Sequence, residues 1–167
     1  MNSSSVCDFA PLMPHDGLRI VPFRAEHAAP FRDLNLAWIE KYFTVEERDA
    51  RDLGDPATHI IAPGGYIFMA ELNGVAVGGV ALMREEDRVF ELAKMTVADS
   101  TRGLGVGRAL GEAAIAHARV IGAKKIELLT NSALKPAIAL YHSIGFVDVP
   151  LGHTEYARAD VHMVLEL

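Results

Sequence analysis

The sequence predicts an α/β fold in a single domain. The chain has 167 residues, of which 50% are hydrophobic and 23% charged, and this composition suits one globular domain with a buried core. Residues 64–146 read in order as a hairpin, a strand, a glycine-rich loop, a helix, a strand and a helix. The sequence contains no internal repeat, low-complexity tract or linker. We therefore expect one domain over residues 17–167, preceded by a loose serine- and proline-containing arm over residues 1–16.

The first third of the chain predicts one strand and two helices. The segment LRIVPF at 18–23 alternates apolar and other residues, as a strand does. From Glu26 to Phe43 the apolar residues recur at helical spacing, namely at Phe31, Leu34, Trp38 and Ile39. A shorter helix is predicted at about 44–53, where Thr44 and Glu47 have the spacing of a capping box.

The middle of the chain gives the clearest β signal. Within residues 64–85, Asn73-Gly74 separates two apolar runs, and this dipeptide is a strong short-range signal for a hairpin. Another strand is predicted at 88–99. We therefore expect an antiparallel arrangement before the glycine-rich loop.

The last third predicts two helices and three strands. After the loop a helix runs to about Gly122, followed by a strand at 124–130 and a helix at 134–146. Two further strands are predicted near Val147–Pro150 and Ala159–Glu166. One face of the first of these helices is marked by Val106, Leu110, Ala113, Ala114, His117 and Ile121.

Charge and cysteine content exclude several classes of function. The formal net charge is −6 and the pI is near 5.6; such a surface repels a phosphate backbone, so we expect no nucleic-acid partner, whereas a small cationic or amine substrate fits. Cys7 is the only cysteine, which excludes an intramolecular disulfide and a thiolate metal cage. The N-terminus lacks the pattern of a signal peptide and the apolar runs are too short for a membrane span, so a cytoplasmic protein without membrane association is expected.

No metal site is expected from the sequence. The chain has seven histidines, but they are scattered and lack a paired ligand spacing. The methionines Met69, Met83, Met95 and Met163 lie in strand segments, where a place in the core is the simplest interpretation.

The segment STRGLGVGRALGEAA at residues 100–114 predicts an anion site. Glycines that feed a helix leave backbone N–H groups open at its N-terminus, and the helix dipole favours negative charge there. The dinucleotide pattern G-x-G-x-x-G fails, because its third glycine falls at Arg108 or Leu110 in the two possible registers. The P-loop pattern fails as well, since no Gly-Lys-Ser/Thr follows. A tight turn that only needs positive φ remains the alternative.

Two motifs carry a resemblance to a known family. Residues 102–107, RGLGVG, fit Arg-x-x-Gly-x-Gly, and residues 137–146, AIALYHSIGF, follow about thirty residues later. With both motifs in this order, the chain resembles the GNAT superfamily of acyl-CoA-dependent N-acyltransferases over roughly residues 65–150. The resemblance implies a GNAT-like mixed, mostly antiparallel central sheet of about six or seven strands, flanked by about four helices. It also implies acetyl-CoA as the acyl donor and a homodimer.

The resemblance also implies a set of coenzyme contacts. Residues along the strand before the loop would pair with the pantetheine arm, namely Met95, Thr96 and Val97. The loop would hold the pyrophosphate of coenzyme A through Arg102, Gly103, Leu104, Gly105, Val106, Gly107 and Arg108. Leu134 departs from the family pattern, because many members carry a coenzyme-binding asparagine there, and Asn131 or Lys135 could take its place.

Two catalytic side chains follow from the same resemblance. Tyr141 would protonate the departing thiolate; alternatively it is a buried tyrosine whose hydroxyl is tied to backbone. Glu91 would be the general base; six residues before Val97, it is expected on the same sheet face. Alternatives for Glu91 are an exposed structural glutamate, or a water chain in place of a side-chain base. The backbone N–H of Val97 would polarise the thioester carbonyl.

The acceptor is the least determined part of the prediction. Glu40 and Tyr42, in WIEKYF at 38–43, could hold an amine with a carboxylate and an aromatic ring; alternatively the segment is an amphipathic helix with Trp38 and Phe43 packed inward. The expected activity is transfer of an acetyl group from acetyl-CoA to a primary amine of a small molecule, by direct attack in a ternary complex. A protein lysine or N-terminal acetyltransferase and a non-catalytic acyl-CoA-binding domain are the alternatives.

Overall fold

Our computed structural model describes residues 16–154 and 156–167, so the predicted arm lies outside it except for Asp16. In these residues a seven-stranded sheet is flanked by four α-helices, which confirms the predicted α/β architecture. The strands are β1 Leu18–Pro22, β2 Tyr66–Leu72, β3 Val75–Glu86, β4 Val89–Val97, β5 Lys125–Thr130, β6 Val147–Val149 and β7 Val161–Glu166. The helices are α1 Ala28–Tyr42, α2 Glu47–Gly54, α3 Val106–Val120 and α4 Lys135–Ser143.

The sheet is antiparallel except at one junction. Its order is β1-β2-β3-β4-β5-β7-β6, and only β4 and β5 run parallel. Their pairing covers Val89–Glu91 against Lys125–Glu127 and then stops. Beyond Glu91 the two strands therefore separate, and a cleft opens in the middle of the sheet.

A β-bulge reverses the side-chain alternation of β4. Ala81 pairs with Ala93, but Gly79 pairs with Thr96, so β4 carries one extra residue between these two pairs. The backbone of Lys94, within this interval, has φ 55°, a left-handed conformation that few residues other than glycine adopt. The bulge thus shifts every later residue of β4 to the opposite face.

Two hydrophobic cores lie on the two faces of the sheet. On one face α3 buries Leu110 and Ala114 against sheet residues such as Leu82 and Leu92. On the other face α1 and α2 cover a smaller core that includes Phe31. Gly79 lets Phe31 and Met69 lie close to the β3 backbone, since a Cβ there would be only 3.0 Å from Phe31 Cδ2 and from Met69 Sδ.

The predicted elements are confirmed, with small differences at their ends. The Asn73-Gly74 hairpin forms with φ 51° and 82°, as a type I′ turn needs. The predicted capping box at Thr44 and Glu47 is wrong: α2 begins at Glu47, with Glu46 as N-cap and Asp49 at N3. A one-turn π-helix, Ala57–Ile61, was not predicted by any pattern.

Candidate active site

A cleft lies where β4 and β5 separate, under the N-termini of α3 and α4. We call this cavity of about 570 Å³ the α4 cleft. It is lined by Trp38, Tyr42, Met95, Thr96, Val97, Asp99, Arg102, Gly103, Gly107, Ala133, Leu134, Pro136, Ala137, Leu140 and Tyr141. The cleft thus joins residues from both motifs of the sequence.

The glycine loop presents backbone donors to the α4 cleft. Gly103 and Gly105 have φ of 79° and 76°, and Gly105 is the N-cap of α3. The first hydrogen bond within the helix runs from the N–H of Ala109 to the carbonyl of Gly105. The N–H groups of Val106, Gly107 and Arg108 consequently have no carbonyl within the helix to bind. Together with the helix dipole, this end of α3 fits a pyrophosphate.

The loop's side chains divide between the cleft, the core and solvent. Arg102 is exposed and donates to the Tyr42 hydroxyl at 3.1 Å at the rim of the cleft. Val106 is buried and Leu104 is partly buried, both in the α3 core. Arg108 donates instead to Glu112 and to Ser143 Oγ, and it lines a groove between α3 and α4. The structure thus brings the backbone of the predicted loop together, but not all its side chains.

Gly107 keeps the cleft open next to α4. A Cβ at this position would lie 3.3 Å from Leu140 Cδ2 and 3.8 Å from Val97 Cγ2. The main chain of α3 can therefore lie close to any group held in the α4 cleft.

The free edge of β4 forms another wall of the cleft. Gly78 and Gly79 pair with Val97 and Thr96 on the β3 side, whereas the edge that faces β5 has no strand partner here among the described residues. Thr96 is buried and its hydroxyl donates to the Leu34 carbonyl at 3.1 Å, which ties β4 to α1. An extended amide-bearing arm can pair with such an edge.

Tyr141 stands between the α4 cleft and a second cavity. This second cavity, of about 100 Å³, is called the inner pocket here. It shares Trp38, Met95, Leu134 and Tyr141 with the α4 cleft and adds Asn35, Ile39, Phe43, Glu91, Leu92, Ala93, Lys94, Leu129, Thr130, Asn131, Tyr156, Arg158 and Ala159.

The Tyr141 hydroxyl is not tied to the protein. Its ring packs edge-on against Phe146 at 6.2 Å, and no described residue makes a hydrogen bond with its hydroxyl. The alternative prediction, in which the Tyr141 hydroxyl binds a backbone group, therefore does not hold among the described residues. Burial raises the pKa of Tyr141 to about 12, so the phenol carries its proton at neutral pH.

Glu91 lies on the α2 side of the sheet. It is buried, lines the inner pocket, and accepts a hydrogen bond from Arg48 Nη2 at 3.0 Å. The expectation that Glu91 and Val97 share a sheet face is wrong, because the bulge at Lys94 intervenes. Val97 packs toward α3 near Gly107, while Glu91 faces Arg48 of α2.

A third cavity, called the outer pocket here, adjoins Glu91 on its other side. Its volume is about 270 Å³, and it is lined by Arg48, Glu85, Glu91, Glu127, Leu129, Gly152, His153, Thr154 and His162. Glu91 therefore belongs to the walls of both the inner and the outer pocket.

The two residues expected to replace the family's asparagine lie apart from the α4 cleft. Asn131 lines the inner pocket, and its amide nitrogen donates a hydrogen bond to the Arg158 carbonyl at 2.7 Å. Lys135 is exposed at the start of α4 and is not among the residues that line the three cavities. Leu134 itself is a wall of both the α4 cleft and the inner pocket.

The two predicted acceptor residues do not come together in one pocket. Glu40 is exposed and lines none of the three cavities. Tyr42 lies in the α4 cleft beside Arg102, at the end formed by the glycine loop. The structure agrees better with the alternative prediction of an amphipathic helix, because Trp38 and Phe43 are partly buried and pack on the α1–α2 core.

Several residues of the site are absent from the sequence-based prediction. Trp38, expected to pack inward, also lines two cavities. Pro136, Ala137 and Leu140 lie with Tyr141 on one face of α4, and their helical spacing was the available signal. Arg48 reaches Glu91 across 43 positions of sequence, a contact that spacing alone does not reveal.

Comparison with known protein families gives a match over most of the chain. The family model described as "Acetyltransferase (GNAT) family" matches residues 29–146. The chain belongs to the GNAT acetyltransferase family. This confirms the predicted family and places the chain among acyltransferases.

Two curated relatives show how far the sequence similarity extends. Over 110 residues the chain is 37% identical to the uncharacterized N-acetyltransferase YjgM of Escherichia coli, covering 63% of this chain and 66% of that protein. It is 35% identical over 105 residues to the N-acetylaspartate synthetase of Xenopus tropicalis, covering 62% of this chain and 39% of that protein. The chain thus matches about two thirds of the first relative's length and about two fifths of the second's.

Solved structures match nearly the whole chain. A GNAT-family acetyltransferase from Staphylococcus aureus superposes with a TM-score of 0.80 at 18% identity, covering 89% of this chain and 98% of that one. The Salmonella typhimurium acetyltransferase yncA, solved with acetyl-CoA, superposes with a TM-score of 0.68 at 21% identity, covering 90% of this chain and 94% of that one. These likenesses confirm the GNAT fold. Within the described residues, no helix combines the length and apolar character needed to cross a bilayer.

Proposed function

We propose that this GNAT protein transfers an acetyl group from acetyl-CoA to a primary amine of a small molecule, by direct attack in a ternary complex. The observation that carries the proposal is the position of Tyr141. Its untied hydroxyl stands between the α4 cleft, which has the open N–H groups of α3, and the inner pocket, which leads to Glu91. Donor and acceptor can therefore meet beside one proton donor and one carboxylate.

The α4 cleft supplies the donor site in this proposal. The N–H groups at the start of α3 bind the pyrophosphate, and the free edge of β4 from Met95 to Val97 pairs with the pantetheine arm. A backbone N–H at Val97 polarises the thioester carbonyl as negative charge develops on its oxygen. Holding both substrates makes the attack effectively intramolecular, which supplies much of the rate.

The proton transfers divide between Tyr141 and Glu91. The substrate ammonium loses one proton toward Glu91, directly or through water, and the free amine forms the new C–N bond. As the C–S bond breaks, Tyr141 gives its proton to the thiolate, and it regains one from the acylated nitrogen. An ammonium and a thioester thus yield an amide, a thiol and one released proton.

The acceptor enters by the inner or the outer pocket. Side chains of α1, β4, β5 and α4 line the inner pocket, and side chains of α2, β3, β4 and β5 line the outer one. Pockets of about 100 Å³ and 270 Å³ favour a small molecule over a folded protein surface. Cytoplasmic location and a homodimer stay predictions of the sequence.

A thiol-release screen tests the proposal. Acetyl-CoA is incubated with the protein and, in turn, with amino acids including aspartate, polyamines, aminoglycosides, and peptides with a free N-terminus or lysine. Thiol release above the amine-free rate with a small amine, and the acetylated amine in the mass spectrum, is the expected result. Turnover with peptides alone would support the protein acetyltransferase instead, and tight acetyl-CoA binding without turnover would support the binding domain.

A further inference from the structure

The carboxylates of three neighbouring strands line up on the α2 face of the sheet. Glu91 of β4 pairs with Met83 of β3 and with Glu127 of β5. Glu85 is the extra residue of a second bulge, between the pairs Arg84–Phe90 and Glu86–Val89, and its carboxylate lies 3.7 Å from Arg48 Nη2 on this face. Glu85, Glu91 and Glu127 all line the outer pocket.

Glu91 is shut off from solvent, whereas Glu85 is open to it. The side chain of Glu91 is 8% exposed and that of Glu85 is 42% exposed. Glu91 reaches the inner pocket as well as the outer one, but Glu85 lines the outer pocket only. Glu85 therefore offers a proton on the nearly inaccessible Glu91 carboxylate a route to the solvent-exposed side of the outer pocket.

Arg48 holds the two carboxyl groups beside each other. Its Nη2 lies 3.0 Å from Glu91 Oε2 and 3.7 Å from Glu85 Oε1. The arginine is fixed in turn by Asp52, 3.7 Å from its Nε, and by the Tyr156 ring, whose centroid is 4.9 Å from its Cζ. Because Arg48 cannot be deprotonated in a protein, it orients the pair without taking the proton itself.

We propose that Glu85 is the second member of a proton relay, in which Glu91 takes the proton of the acceptor ammonium and passes it to Glu85, which releases it to solvent. The inference rests on the proposed acetyl transfer, because the relay exports the one proton that this reaction releases. In this assignment Glu85 acts through Glu91, and Arg48 is a positioning residue for both.

The protonation behaviour of Glu85 suits this role. Partial burial of its carboxyl, and then hydrogen bonding and charge repulsion from Glu91, raise the pKa of Glu85 to about 7. The charge of Glu127 raises this pKa further, and the charge of Arg48 lowers it. Among the described residues, the other titratable side chains that line the outer pocket are His153 and His162, the latter 3.7 Å from Glu127. A carboxyl that titrates near neutrality can accept and release a proton in each turnover.

The pH dependence of kcat tests the relay in the full-length enzyme. In the variant Glu85→Gln we expect kcat at pH 7 to fall about tenfold, because an amide cannot accept the proton. We expect KM for acetyl-CoA and for the acceptor to stay within about twofold, and the acid limb of the kcat profile to shift by about one pH unit or more. Glu85→Asp should restore part of kcat and an acid limb near neutrality.

Glu86→Gln is the matched control, because Glu86 is exposed, adjacent in sequence, and lines none of the three cavities. It removes the same charge and should leave kcat and its pH profile unchanged. If Glu85→Gln keeps the wild-type kcat and acid limb, or if Glu86→Gln reproduces its effect, the relay is wrong.

A readout without turnover separates the relay from the proposed function. Carbon-13 NMR of labelled glutamate side chains should show a carboxyl that titrates near pH 7 in the wild type and is lost in Glu85→Gln. Its absence from the wild type overturns the relay. If no amine releases thiol although this signal is present, the proposed acetyl transfer is wrong, whereas the assignment of the titrating carboxyl to Glu85 is retained.

Discussion

The ammonium of Lys94 donates a hydrogen bond to Asp49 Oδ1 at 2.9 Å, and both side chains are nearly inaccessible, at 4% and 0% exposure. Lys94 occupies the bulge of β4, and Asp49 occupies the first turn of α2. Asp49 also accepts two hydrogen bonds from Arg158, which precedes β7. This buried group therefore joins the bulge, α2 and the segment that closes the inner pocket.

Removing the lysine charge should destabilise the fold. In Lys94→Met, Asp49 loses one buried cationic partner and the Tyr156 hydroxyl loses its contact with the ammonium at 2.7 Å. Breaking one side of a buried ion pair costs about 3 kcal/mol, and urea unfolding followed by circular dichroism measures it. Lys41→Met is the control, because the Lys41–Asp99 pair is exposed and should leave the unfolding midpoint unchanged. Equal midpoint shifts in the two variants would contradict the prediction.

The contribution of Asp49 should disappear in acid. Burial alone would raise the pKa of Asp49, but hydrogen bonds from Arg158, Lys94 and the Glu46 backbone outweigh it and hold the pKa well below its ordinary value of 3.8. A carboxyl with a depressed pKa stabilises the fold above its unfolded pKa, and this stabilisation is lost as the pH falls below that value.

Comparing Asp49→Asn with the wild type gives the measurement. The variant should cost about 3 kcal/mol at pH 7, and the gap should stay constant down to pH 5 and narrow below pH 3.8. Urea midpoints at pH 7, 5, 4 and 3 follow it, with Asp33→Asn as the exposed control. A gap that is unchanged at pH 3 would refute the assignment.

Much of the fold was predictable because its signals are local. Hydrophobic periodicity located the strands and helices, Asn73-Gly74 located the hairpin, and the two motifs identified the family. The open N–H groups at the start of α3 are predictable from the glycines before the helix, because such groups depend on a few adjacent residues; their binding of pyrophosphate stays a proposal.

The rest depends on contacts that are distant in sequence. Because of the bulge at Lys94, Glu91 and Val97 lie on opposite faces of the sheet. The sequence KMTV does not predict this bulge, since Asp49 and Tyr156 from other segments hold the left-handed lysine in place. The N-cap of α2 is Glu46 and not the predicted Thr44, and the Glu46 carboxylate also accepts a hydrogen bond from the backbone N–H of Ala157, in the segment before β7. The positions of these side chains depend on packing between distant segments and not on a local sequence pattern.

Gly107 offers a test of the α4 cleft. In Gly107→Val the larger side chain would fill part of the α4 cleft, because even a Cβ at this position lies 3.3 Å from Leu140 Cδ2. We therefore expect the Kd for coenzyme A to rise at least about tenfold. Trp38 is the only tryptophan of the chain and lines this cleft, so its fluorescence reports binding. Gly54→Ala is the control, because a Cβ there meets nothing within 4 Å and no strained φ is involved. Unchanged affinity in Gly107→Val would place the coenzyme elsewhere.

Tyr141→Phe separates the proton donor from the binding site. The variant keeps the ring against Phe146 and loses no hydrogen bond to a described residue, so the unfolding midpoint and the Kd for coenzyme A from Trp38 fluorescence should match the wild type. We expect kcat to fall about 100-fold, because the thiolate must leave without a positioned acid. Tyr66→Phe controls for loss of a phenol, since Tyr66 packs against His117 and lines none of the three cavities. If Tyr141→Phe turns over at the wild-type rate, the acid is another group or water.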